Sequence, residues 1–197
     1  MMAFLTRAHM QPWLPWCLLL AVCAVLQLAG GYPALRLELP PVHCEWVYRI
    51  FTCHLVHLTA RHWLYNSLAL LIIAWIFVRQ FHWPVWLMTY CISSLAVSLG
   101  LLLFPDDLHS YAGLSGLLHG LFTMGCLLLY PQQARLALVL GMLMLIKLVL
   151  EQFFGSLMLP TPGFVVASMA HVYGVIGGLI SWLSWISVSA LRARRTV

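Results

Sequence analysis

The sequence predicts an all-α membrane protein, a bundle of six transmembrane helices with a structured first extracytoplasmic loop. Three observations support this. Of 197 residues, 63% are hydrophobic and only 8% are charged, where a soluble domain carries about a quarter charged residues. The mean hydropathy is +0.95. Apolar runs of about 16–22 residues, close to the length a hydrocarbon core demands, recur six times along the chain. No polar linker or low-complexity block interrupts them, so residues 1–197 are expected to form a single domain.

The first run, Trp13–Leu28, follows Arg7 and has the length of a signal-peptide core. It ends without a clear cleavage site and further spans follow, so it is expected to stay as a helix. The segment from Gly30 to Arg61 is rich in aromatic residues, His and Pro and is too polar to cross a bilayer. It is expected to form short helices or a re-entrant element packed on protein at the interface. The remaining runs are His62–Val78, Trp83–Phe104, Leu114–Tyr130, Ala134–Phe153 and Met169–Ala190, joined mostly by short loops.

The net charge of +5 is spread singly over the ends of these runs, apart from Arg192, Arg194 and Arg195. This is the pattern of orientation signals at a lipid bilayer, and no nucleic-acid partner is expected. With both termini in the cytoplasm, Arg7, Arg79, Arg135, Arg192, Arg194 and Arg195 lie inside, while Arg36, Arg49 and Arg61 lie outside. The second, fourth and sixth helices then all run inward from the outer face. His62 and Asn66, Ser115, and His171 fall at the heads of those three helices, at one depth. Of six cysteines, four lie in apolar runs, where Cys packs as a small hydrophobe. Cys44 and Cys53 share the first loop and can be oxidised there only if their geometry allows it.

Polar groups inside a membrane span are costly and mark function. Ser115 stands in Gly113-Leu114-Ser115-Gly116, and His171 in Ala170-His171-Val172-Tyr173-Gly174. Gly116 with Gly120, and Gly174 with Gly178, form two small-xxx-small faces of the kind that let helices pack closely in lipid. That packing would bring Ser115 towards His171. A serine hydroxyl becomes a nucleophile when a base takes its proton, and the imidazole can then protonate a leaving amine. The Ser115 amide sits at a helix start, where N–H groups lack intrahelical partners and the dipole favours negative charge. His62 and Asn66 are one turn apart on a shared face.

Three motifs, in this order, resemble those of the rhomboid family of intramembrane serine proteases over most of the chain from Trp46 to Gly178. The first is Arg49-Ile50-Phe51-Thr52 followed by His57, His62 and Asn66, similar to the family's first-loop and second-helix pattern ending in H-x-x-x-N. The second is Gly113-Leu114-Ser115-Gly116, and the third is Ala170-His171-x-x-Gly174-x-x-x-Gly178. The resemblance implies Ser115 as nucleophile and His171 as base. It implies an oxyanion hole of His62, Asn66 and the Ser115 amide, and supporting places for His119, Tyr173 and Gly113. Within the family the chain is most similar to the rhombosortases, the short bacterial branch. The cues are its small size, the run Leu55-Val56-His57-Leu58-Thr59, and His119 four residues after Ser115. That likeness implies cleavage of exported proteins bearing a C-terminal Gly-Gly, an apolar helix and a basic tail. It also implies residence in the bacterial inner membrane with the site facing the periplasm. Two positions depart from the wider family. Val47 and Tyr48 separate Trp46 from Arg49, and His119 replaces an aromatic residue that stacks on the catalytic imidazole.

No Asp or Glu lies within a helical turn of either motif, which predicts a Ser–His dyad without a carboxylate. Lys147 and Glu151, spaced i, i+4, read as a structural intramembrane ion pair. His119, to act as base, would have to reach back along its own helix, so it is expected to orient His171 or hold water. His54 and His57 are expected to pack the loop by bonding to backbone. With His62 they lack the ligand spacing of a metal site, so no metal and no cofactor are expected. The loops Pro105–Ala112 and Gly155–Ala167 flank the two catalytic motifs, and Gly155, Pro160, Pro162 and Gly163 mark the latter as a lid. By resemblance, substrate helices approach between the second and fifth helices, past Phe153 and Phe154. The alternative function is a catalytically silent rhomboid-like protein that binds transmembrane helices. A transporter or haem carrier using the nine histidines fits less well, because most of them sit near one face and no inverted repeat is visible.

Overall fold

The computed structural model describes residues 12–39, 47–104, 108–155 and 167–195. Each of the six apolar runs is helical. Helix α1 (Leu14–Leu28) carries Pro15 in its first turn, where the missing N–H costs nothing. It ends at Gly30, whose φ of +68° lets the amides of Gly30 and Gly31 turn back onto the carbonyls of Gln27 and Leu26 at 3.3 and 2.9 Å. That reversal is the usual glycine stop.

The first loop then forms α2 (Tyr32–Leu35), strand β1 (Leu37–Glu38), α3 (Arg49–Thr52) and a 3₁₀ turn (Cys53–Leu55). The long elements follow as α4 (Ala60–Phe77), α5 (Trp83–Leu103), strand β2 (Ser110–Tyr111), α6 (Ser115–Leu129), α7 (Ala134–Phe154) and α8 (Ser168–Arg195).

Two boundaries depart most from those expected. Helix α4 starts two residues before His62, because the Thr59 hydroxyl accepts the His62 amide at 3.1 Å and caps the helix there. Helix α8 runs on to Arg195, since no Gly or Pro follows Gly178. Helices α4, α5, α7 and α8 are long and apolar enough to cross a membrane, but α1 and α6 have 15 residues each. Those two are about 22 Å long at 1.5 Å per residue, short of the roughly 30 Å hydrocarbon core. A second difference lies outside the helices. The paired strands β1 and β2, antiparallel with Leu37 opposite Tyr111, have no counterpart in the all-α expectation. Two residues per strand are too few to show alternation in sequence.

Helices α5, α6 and α8 form the centre, α4 flanks α6, α1 flanks α4, and α7 leans on α6 and α8. The glycine faces explain the tight centre. A Cβ on Gly174 would collide with the Gly116 carbonyl oxygen, and one on Gly178 would lie 2.6 Å from that of Gly120. Ser93 of α5 fills the third side against Gly120 and Gly177. Around this lies a cluster of Leu70, Phe77, Leu117, Leu121 and Met124. Many of the bundle's outward side chains are large and apolar, among them Trp75, Leu138, Met142 and Leu183, as lipid-facing positions require.

Hydrogen bonds fasten the first loop to α5. Ser98 Oγ donates to the Ile50 carbonyl at 2.7 Å, and His54 Nε2–H donates to the Ser94 carbonyl at 3.1 Å. Arg49 pairs with Glu38 at 3.5 Å, and Thr52 donates to the Leu35 carbonyl at 3.1 Å. Cys53 is a buried free thiol; Cys44 and Trp46 lie outside the described residues. Burial pushes the His54 imidazole down to about 4. Burial, with His62 beside it, pushes His57 down to about 3. In a detached loop both would titrate near 6.5, so the detached form binds more protons below that pH. Docking of the loop therefore weakens as pH falls from about 6.5 towards 4. Hydrogen-exchange protection of residues 49–58 should fall across that window while that of α6 holds. Flat protection across it would contradict this account of the loop.

Candidate active site

The site lies where the N-terminal ends of α4, α6 and α8 meet. Gly113, just before α6, has φ of +141°, a backbone state open to glycine. Its amide donates to the Cys53 carbonyl at 2.9 Å, and its carbonyl accepts the Tyr111 hydroxyl at 2.9 Å. A Cβ there would stand 2.6 Å from Cε1 of His62, so the His62 ring lies directly over the backbone that leads into Ser115. Ser115 is the first residue of α6, which leaves its amide among those without an intrahelical acceptor.

On the other side, the Ala170 carbonyl would meet a Cβ on Gly116 at 2.9 Å. Backbone therefore packs on backbone beside the catalytic candidates, and Ser115 Oγ lies 3.0 Å from His171 Nε2.

The expectation of a dyad without a carboxylate is corrected. Glu151 Oε2 lies 2.7 Å from His171 Nδ1, on a helix twenty residues away in sequence. Proximity along the chain was the wrong test, because α7 delivers the group across the bundle. The pairing of Lys147 with Glu151 is present at 2.7 Å, but it stands at the site. Lys147 Nζ is also 2.8 Å from His119 Nε2 and 3.3 Å from His171 Nδ1. His119 Nδ1 lies 2.7 Å from the Ser115 carbonyl oxygen.

The acceptors fix the protons. A carbonyl and a carboxylate cannot donate, so both imidazoles carry hydrogen on Nδ1. His171 Nε2 is then free to accept the Ser115 hydroxyl proton, and His119 Nε2 accepts from the Lys147 ammonium. The two rings stack with centroids 4.2 Å apart and planes 15° from parallel. His119 thus lies flat on His171 and bonds back to its own helix. Among the described residues Lys147 Nζ donates to Glu151 and His119 and only neighbours the protonated His171 Nδ1 at 3.3 Å, which leaves a Ser–Lys pairing without a contact.

His62 and Asn66 sit one turn apart on α4. Asn66 is buried, and its Nδ2 has no protein partner among the described residues, so it remains an available donor. The His57 ring meets His62 edge-on at 5.2 Å. His54 bonds to backbone as expected, whereas His57 finds no hydrogen-bond partner among the described residues. Tyr173 lays its ring over Gly100 of α5, where a Cβ would collide with it, and so seats α8. Phe153 and Phe154 end α7, 79% and 77% exposed. Residues 105–107 and 156–166, with Pro160, Pro162 and Gly163 of the expected lid, lie outside the described residues.

Tyr111 and Ser98 were missed by sequence reasoning. Ser93, Ser94 and Ser98, buried together with Thr89 on a largely apolar α5, were the available signal that this helix carries polar groups into the core. Among the described residues, His119, Glu151 and His171 also present ligand atoms within 4.8 Å of one another. The Lys147 ammonium takes the place a cation would hold among them.

Comparison with curated proteins gives no match. The model of the rhomboid domain matches residues 45–188, a stretch that holds the first-loop motif, His62, Asn66, Ser115, Glu151 and His171. This covers most of the chain, and the protein belongs to the rhomboid family.

Proposed function

We propose that this rhomboid protein is an intramembrane serine endopeptidase in which Ser115 is the nucleophile and His171 the general base. The observation that carries the reading is the 3.0 Å contact between Ser115 Oγ and an imidazole nitrogen whose lone pair faces it. Members of the family are generally intramembrane serine proteases.

In this mechanism His171 Nε2 takes the hydroxyl proton as Oγ attacks the scissile carbonyl. The oxyanion is met by the Ser115 amide, Asn66 Nδ2 and the His62 ring, each such donor lowering the barrier by about 3–4 kcal/mol. The protonated imidazole then gives its proton to the leaving amine. Water, activated by the same nitrogen, releases the acyl group.

The substrate we propose is an exported protein with a C-terminal Gly-Gly, apolar helix and basic tail, as in rhombosortases. It would be cut in the bacterial inner membrane by a site facing the periplasm, with both termini cytoplasmic. The heads of three helices gathered at one end support a single face for the site, and Arg79, Arg135 and Arg192 at the opposite ends support the orientation.

The test is co-expression with an exported reporter bearing such a tail. Mass spectrometry should find a new C-terminus near the Gly-Gly, absent with Ser115→Ala. A reporter retrieved whole by a folded wild-type protein would favour the silent helix-binding alternative.

A further inference from the structure

We infer that Glu151 and Lys147 form a positioning device for the catalytic imidazole, so that proton transfer at Ser115 depends on α7 being docked. This rests on the proposed Ser115–His171 chemistry and deepens it.

An imidazole serves as base at Nε2 only when its other nitrogen holds the proton. Among the described residues, Glu151 is the acceptor that imposes this on His171, at 2.7 Å. The carboxylate is in turn held by Lys147 at 2.7 Å, and Lys147 is held by His119 at 2.8 Å. His119 closes the circuit on the Ser115 carbonyl. Glu151 Oε2 accepts from both His171 and Lys147, and Lys147 donates to both Glu151 and His119, a closed arrangement that begins and ends on the nucleophile's own residue. A pure ion pair would need neither histidine.

The two charged groups differ in setting. The Glu151 side chain is 2% exposed and that of Lys147 32% exposed, so the carboxylate is enclosed while the Lys147 side chain enters from the edge to place its ammonium among Glu151, His119 and His171. Helix α7, which carries both, leans on α6 and α8. Over its apolar window it is the least buried of the four long helices, and Ala137, Leu148 and Glu151 are its buried residues. A helix held so lightly carries the group on which the orientation of His171 depends. Lateral displacement of α7 would withdraw Glu151 and leave the imidazole free to rotate or change tautomer.

The experiment measures kcat and KM on the reporter in membranes, together with the downfield Nδ1–H proton resonance of His171. Glu151→Gln should lower kcat by roughly 10²–10⁴-fold, as loss of an orienting carboxylate does in serine proteases, with KM within about twofold and the resonance gone. Glu151→Asp should recover part of the rate.

Because Glu151→Gln leaves Lys147 without its counter-ion and can fail to fold, the second variant is Lys147→Met with Glu151→Gln, which removes both charges. It should be as slow as the single variant. If the double variant regains wild-type kcat, the pair is only a structural ion pair and the inference is overturned. It is overturned equally if Glu151→Gln retains wild-type kcat. In either case a wild-type enzyme silenced by Ser115→Ala leaves the proposed function standing. A folded wild-type protein that cuts no reporter removes that function instead.

Discussion

His171→Ala should abolish cleavage, with a loss of roughly 10⁴–10⁶-fold in kcat, whereas His119→Ala should only reduce it. The first figure is the scale for removing the base of a serine hydrolase. The two rings stack at 4.2 Å on adjacent helices, so sequence spacing alone could favour His119, four residues from the serine. The structure separates them by atom. His171 Nε2 faces Ser115 Oγ at 3.0 Å, while His119 is turned away, with Nδ1 on the Ser115 carbonyl and Nε2 on Lys147. Removing His119 costs one stacking contact and two hydrogen bonds at the edge of the site. That is about 1–3 kcal/mol, or roughly a tenfold to hundredfold loss. Equal loss in the two variants, each folded, would show that the roles are assigned wrongly.

Gly174→Ala should cost at least about 100-fold in activity and measurable stability. The new Cβ would collide with the Gly116 carbonyl oxygen, which is backbone and cannot swing aside. Helices α6 and α8 must then part at the point that sets the distance from Ser115 to His171. A displacement of about 1 Å in a reacting pair is worth roughly 10² in rate. Gly141→Ala is the matched control. Its Cβ would meet nothing within 4 Å, and alanine is the better helix former by about 1 kcal/mol, so activity should be unchanged. Reporter cleavage in membranes and thermal unfolding in detergent measure both effects. Full activity in Gly174→Ala would mean that the glycine faces do not set the geometry of the site.

What could be read in advance follows from how each feature is encoded. The glycine faces are local patterns of period four, and their meeting could be foreseen because each lies just below a candidate residue. The placing of His62, Ser115 and His171 at one depth followed from counting spans and charges. Glu151 shows the limit. Its pairing with Lys147 is local and was visible at spacing i, i+4, but its contact with His171 depends on how α7 is rotated in the bundle, which no spacing specifies. The same holds for Tyr111, which reaches the Gly113 carbonyl because β1 and β2 pair across more than seventy residues. The reach of α8 to Arg195 goes beyond the apolar run that closes at Ala190, because hydropathy marks the span and not the helix end, and Arg is a good helix former.

The central claim is that Ser115 is a nucleophile activated by His171, and covalent labelling tests it most directly. A fluorophosphonate added to the protein in membranes should leave one adduct, mapped by peptide mass spectrometry to Ser115, and lost in Ser115→Ala and in His171→Ala. A folded wild-type protein that takes up no label, or that carries it on another residue, would contradict the account.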